Sequence, residues 1–236
     1  MELCRTISPG NIVSLSTPSD IRAADFVLDE NYMYALTREN SDKALACIQA
    51  SARYRKSPYE DYYKYEQRGK SLADYTEEEI RTIVKQIANS NSTRTPNCSI
   101  DIIAAYMAKN LTEFLQRLHS GDVQLVEELG YLDGFPRHEN SLASKICSYL
   151  SRLEYGKSQY VINDSVVREI LPYYLKYYEI PAKEVQEMSY AELLVAITEL
   201  SRKTPDGLAC HEIDQILWYG YRDDPVRRAI AVYLSK

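Results

Sequence analysis

The spacing of apolar residues along the chain is helical almost throughout. Ile80, Ile83, Val84 and Ile87 form one stripe, at the three- and four-residue intervals that line one face of a helix. Ile100, Ile103, Ala104, Met107, Leu111, Phe114, Leu115 and Leu118 keep that spacing and predict a single helix of about five turns. Thr76 with Glu79, and Ser189 with Glu192, are capping boxes that place two helix starts. Asp122 is placed to cap a short helix through Leu129, with Gly130 ending it in a left-handed conformation. Gly220 is expected to stop a helix around Ile213 to Tyr219, and another is expected to start near Pro225. Before Pro18, the Ser8-Pro9-Gly10-Asn11 turn and the alternating Ile12–Ser16 stretch predict an irregular or briefly extended segment. The polar run Asn89–Asn97 reads as a loop and a candidate lobe boundary. The expected architecture is all-α, with two helical lobes (1–97 and 98–236, or one compact unit) and a cleft between them.

Composition narrows the chemistry. The chain has 236 residues, 45% of them hydrophobic, and a formal net charge of -6, which is ordinary for a globular protein. With only 8 glycines there is neither a G-x-x-x-x-G-K-[ST] nor a G-x-G-x-x-G loop to cradle a phosphate. The five cysteines are scattered and the three histidines are isolated from one another, so no metal site, cofactor or disulfide scaffold is expected. That cysteine usage, the lack of a secretory signal and the lack of a long apolar run predict a cytoplasmic protein with no membrane partner.

Three features are given structural rather than chemical readings. Many of the 21 tyrosines, such as Tyr173, Tyr174, Tyr177 and Tyr178, fall where an apolar stripe meets a polar face. They are expected to pack amphipathically with the hydroxyl reaching water. Arg53, Arg55, Lys56, Lys64, Arg68 and Lys70, interleaved with tyrosines, would suit a nucleic-acid backbone, but Glu60, Asp61 and Glu66 favour a solvated helix. His211-Glu212-Ile213-Asp214 is likewise expected on a solvated face, opposite Ile213, Ile216 and Leu217.

One segment carries a candidate reaction. Ser141 is placed to cap a helix with the stripe Leu142, Ile146, Tyr149, Leu150 and Leu153, and Lys145 falls at the stripe's edge. A lysine shielded from water has its ammonium form disfavoured, which frees the amine as a nucleophile. Nineteen positions on, after the short run Tyr160-Val161-Ile162-Asn163, Asp164 opens the next helix. There it can cap backbone N–H groups or face the lysine across a cleft. The opposing reading is that Lys145 snorkels its charge to solvent.

This lysine–aspartate arrangement resembles the helix-hairpin-helix DNA glycosylases, in particular the 8-oxoguanine glycosylase-like members, over roughly residues 120–175. Where the family carries hairpin glycines, this chain has Asn140-Ser141-Leu142-Ala143-Ser144. The resemblance implies a DNA base-excision glycosylase and lyase acting on a damaged base in duplex DNA, with a hairpin-like element at 135–167. Lys145 and Asp164 would be catalytic, and Arg137, His138, Asn140, Ser141, Ser144 and Arg152 would contact DNA. No metal or organic cofactor is implied. The alternative is a non-catalytic helical interaction module, a degenerate glycosylase relative that binds protein or nucleic acid. Residues 137–183 hold seven Lys/Arg against five acids, a local excess compatible with duplex DNA.

Overall fold

The structure, a computed structural model, describes residues 26–50, 71–90, 93–156 and 158–236. The stretch before Pro18 and the basic, tyrosine-rich stretch from Arg53 to Lys70 lie outside the described residues. Among the described residues the fold is all-α: α1 Arg38–Ala50, α2 Glu77–Ser90, α3 Asn97–Lys109, α4 Leu111–Ser120, α5 Val123–Gly130, α6 Asn140–Tyr155, α7 Ser165–Tyr177, α8 Tyr190–Lys203, α9 Cys210–Arg222 and α10 Pro225–Ser235. The only extended pairing described is an isolated antiparallel bridge between Leu28 and Tyr34.

Two helices organise the packing. α6 lies against α2, α4 and α5, and α7 lies against α8, α9 and α10. Every residue from Leu142 to Ser148 on α6 is buried, so this helix is enclosed on all sides. One apolar cluster runs through residues on either side of the 89–97 loop, from Ile80 and Ile83 on α2 to Leu142, Ile146 and Leu150 on α6 and Ile213 on α9.

Local signals behave as their chemistry demands in several places. Both capping boxes form: Thr76 Oγ1 accepts from Glu79 N while the Glu79 carboxylate accepts from Thr76 N, and Ser189 and Glu192 do the same. Asp122 caps α5 through Gln124 N, and Pro225 occupies the first turn of α10. Pro172 lies inside α7 without splitting it. A proline has no N–H to offer the carbonyl four residues back; here Arg168 O accepts from Gln186 Nε2 instead.

Four expectations are corrected. The long stripe from Ile100 to Leu118 is two helices, broken at Asn110, whose backbone (φ -118°, ψ 26°) leaves the helical region. Gly130 is not a left-handed terminator but the last residue of α5. A Cβ on it would lie 2.0 Å from Asn140 Oδ1, so the glycine is required by close approach of the α6 start. Gly220 does not stop α9, which continues to Arg222; its bare Cα admits the Tyr34 ring.

The fourth correction concerns the tyrosines, several of which are interior hydrogen-bonding groups rather than boundary residues. Tyr174 donates to Tyr34 O and shares a 2.7 Å contact with the Tyr221 hydroxyl, which accepts from Tyr34 N. Tyr173 donates to Asp29 and Tyr177 to Glu30. Residues 29–34 are thereby tied to α7 and α9. Tyr174→Phe leaves the buried Tyr34 carbonyl without its donor, which costs about 1–3 kcal/mol. The expected result in a thermal melt is a midpoint roughly 2–8 °C lower with the fold retained.

Candidate active site: a buried lysine and a helix-capping aspartate

Lys145 projects from α6 with Ser141 one turn earlier on the same face. Its Nζ donates to Ser141 Oγ at 2.9 Å and to Asp164 Oδ2 at 3.1 Å. The lysine is 2% exposed, deeper than the stripe edge its spacing predicts, because α6 is enclosed on all sides. Asp164 is bifunctional. Its Oδ1 caps α7 by accepting from Val166 N at 2.9 Å, which leaves Oδ2 for the lysine. The two roles offered as alternatives by the sequence are filled together by one carboxylate. Ser141 does not cap α6: the N-cap is Glu139, with no side-chain cap, and the Ser141 hydroxyl serves the lysine.

What aims Asp164 is the short extended run before it. Its backbone has no neighbouring strand, and side chains satisfy it residue by residue. Tyr160 N donates to Ser158 Oγ. Val161 donates to and accepts from the Tyr190 hydroxyl at 3.1 and 3.0 Å. Asn163 N donates to Ser144 Oγ at 2.9 Å. The Ile162 backbone lies near Asp214 on α9 and favours its carboxylate form.

Asp214 was not foreseen. It is 2% exposed, and its Oδ1 has no hydrogen-bond partner among the described residues. Burial pushes its carboxyl up to about 7, against the opposing pull of Arg152 and Lys145, while Asp164 adds to the rise. The same helix end carries His211, which burial, aided by Arg152, pushes down to about 4. Asp214 is therefore interior rather than on a solvated face, with His211 and Glu212 half-buried beside it. The signal was present in the sequence: Asp214, Leu217 and Tyr221 follow three-and-four spacing, which puts the carboxyl group beside the apolar stripe.

A cleft of about 480 Å³ is lined among others by Tyr131, Asn140, Asn163, Arg168 and Tyr190, and neither Lys145 nor Asp164 lines it. Asn140 immediately precedes Ser141, and Asn163 immediately precedes Asp164. The remaining sequence-predicted contacts are scattered in role. Arg137 is exposed and ties the loop at 93–94 by donating to Thr93 O and Arg94 O. His138 stacks on Tyr131 with ring centroids 4.1 Å apart. Asn140 Nδ2 donates to the Tyr131 hydroxyl. Ser144 is wholly buried on Asn163 N and presents nothing to a phosphate. Arg152 is half-buried and acts electrostatically on Asp214 and His211. Cys147 is no nucleophile, since complete burial pushes its thiol far up. Among the described residues, no three of His, Cys, Asp and Glu converge as a metal site.

Comparison with protein-family models, curated proteins and solved structures finds no match to this chain.

The two shifted groups make stability depend on pH in opposite senses. Between about pH 4 and 7 the folded Asp214 holds a proton that an unfolded carboxyl (3.8) has lost, so its contribution is complete at low pH and disappears as pH rises through 7. His211 refuses a proton that the unfolded imidazole (6.5) binds down to about 4, so its contribution is lost as pH falls through that window. The two offset each other between about 4 and 6.5, and above that range only Asp214 acts. Denaturation of the wild type is expected to show stability falling between about pH 6.5 and 8. Asp214→Asn is expected to abolish that fall and to gain on the order of 2–4 kcal/mol over wild type at pH 8.5.

Proposed function

We propose that the chain is a DNA base-excision glycosylase with lyase activity, in which Lys145 is the nucleophile and Asp164 its partner. The observation that carries this reading is the 3.1 Å contact between a buried amine and a helix-capping carboxylate that come from different helices. The arrangement sets an amine shielded from water beside a carboxylate able to oppose positive charge at a substrate, the pair of groups a lysine nucleophile and its stabilising partner require.

The chemistry follows from the charges. The Lys145 ammonium gives up one proton, and the freed lone pair bonds to the sugar C1′ of a damaged nucleotide turned out of the duplex. The N-glycosidic bond breaks, its electron pair leaves on the base, and the base takes up a proton. Opening of the sugar ring, with a proton passing to O4′, leaves a Schiff base that permits elimination of the adjoining phosphate. Asp164 opposes the positive charge that develops at C1′, and the low polarity of the surroundings strengthens that interaction.

A second reading has its own observation. α10 presents Val226, Ile230 and Tyr233, with Tyr233 76% exposed, along an open apolar groove, the kind of surface an interaction module uses.

Borohydride reduction on duplex DNA containing an abasic site is expected to fix a covalent adduct to the wild type and none to Lys145→Ala. Asp164→Asn, which retains the helix cap, is expected to trap more slowly by about 10²-fold. A wild-type protein that gives neither an adduct nor DNA affinity at low salt overturns the glycosylase reading and leaves the interaction module.

A further inference from the structure

α10 is held to the body by one face and shows the other. Inward, Ala231 is buried, Arg228 pairs with Glu169 of α7, and Lys176 of α7 donates to Leu234 O at 3.0 Å. At its start Asp224 caps Arg227 N, and the Arg227 guanidinium lies over the Tyr34 ring. Outward, Val226, Ile230 and Tyr233 are 70%, 42% and 76% exposed. Their four-and-three spacing sets them in one line along the helix. The groove they form with Pro225 and Ala229 has no wall from any other described element. An apolar line this open, on a helix this firmly seated, marks an interaction surface.

The chemistry of that line identifies the partner. Its midpoint falls between Ala229 and Ile230. Counting outward from there, Ala229 is matched by Ile230, Val226 by Tyr233, and Asp223 by Lys236. Small is matched by large, and acid by base. The Asp223 side chain, just before the helix, is 46% exposed, and Lys236 at the other end is exposed. Turned end for end, the line is complementary to itself in both charge and size. A twofold axis through the midpoint brings each matched pair together twice, as an isologous interface requires. Ala229 leaves room for two helix axes to approach closely.

We propose that α10 is the contact between two copies of this chain, packed antiparallel about a twofold axis between Ala229 and Ile230. Burial of the apolar line drives the association, and the charges at its ends set direction and register. A parallel pair would place acid against acid and base against base, which opposes that arrangement. Asp223 also has its own Arg222, with Nε at 3.8 Å, but a carboxylate accepts from more than one donor. The helix has 11 residues and is about 16 Å long. One face of that length falls short of the roughly 800 Å² per partner of a standard interface, so the pairing is reversible, with a dissociation constant on the order of tens of micromolar. The inference extends the interaction-module reading by naming the occupant of its groove, and it holds whether or not Lys145 reacts.

Sedimentation equilibrium of the full chain, from about 1 to about 300 µM, reads the association directly. The wild-type mass is expected to rise from that of one chain toward that of two. Tyr233→Glu, which sets a charge against the partner's Val226, is expected to weaken association by about tenfold or more. Asp223→Lys and Lys236→Glu, each alone, are expected to weaken it by about three- to tenfold. An equimolar mixture of those two variants is expected to pair as tightly as wild type, because both end contacts are again acid on base. Circular dichroism is expected to show the same helix content in every variant.

A wild type that stays monomeric over the whole range overturns the inference, whatever borohydride trapping gives, and assigns the groove to another part of this chain or to a different protein. Self-association unchanged by Tyr233→Glu also overturns it, by placing the contact elsewhere on the surface. Should Tyr233→Glu fail to fold, the charge variants decide: recovery in the mixture supports the antiparallel pair, and no recovery overturns it.

Discussion

A lysine ammonium enclosed in a protein interior is destabilising by several kcal/mol unless a partner of opposite charge and further hydrogen bonds compensate for lost water. Lys145 meets that condition with two contacts, to Ser141 Oγ and Asp164 Oδ2. Much of the surrounding architecture serves to hold those contacts. Ser141 must lie one helical turn before the lysine, Asp164 must begin α7 at the same height, and the intervening chain must cross between α6 and α7 without unsatisfied backbone groups. Three side chains, Ser144, Ser158 and Tyr190, supply partners a neighbouring strand would otherwise provide. The extended run is therefore a braced arm, and its far end is the carboxylate.

This arrangement explains why a buried ionic cluster persists where an apolar core would cost less. An ion pair replaced by well-packed hydrophobic residues is often neutral or stabilising. Residues 211–214 add an imidazole held neutral and a carboxyl held largely protonated to the same interior, so the region tolerates several groups that an economical core would exclude. Perturbed titratable groups gathered in one place make the region a candidate for function.

The sequence made the helices legible because capping chemistry and three-and-four spacing are local. Thr76 with Glu79, Ser189 with Glu192, Asp122 and Pro225 could be read correctly from a few neighbouring residues. Lys145 and Asp164 were singled out by order and separation, and the structure brings them to 3.1 Å. Two of the failures concern contacts between distant parts of the chain. Gly130 and Gly220 were read as terminators because their real neighbours, Asn140 and Tyr34, enter from other elements. The helix break at Asn110 lies within an apolar stripe whose spacing continues on both sides. Ser141 was assigned to a cap because its lysine partner becomes visible only once α6 exists. Asp214 was set on a solvated face because charge outweighed periodicity, although its spacing to Leu217 and Tyr221 pointed inward.

The central claim is that Lys145 and Asp164 form one desolvated unit, and a double-mutant cycle on stability tests it most directly. Lys145→Met and Asp164→Asn are each expected to cost about 3–5 kcal/mol, because each leaves its partner buried and unpaired. The double variant is expected to lose clearly less than the sum, with a coupling of about 2 kcal/mol or more. Additive losses in denaturant unfolding would mean that the two groups do not sense each other, and would contradict the account.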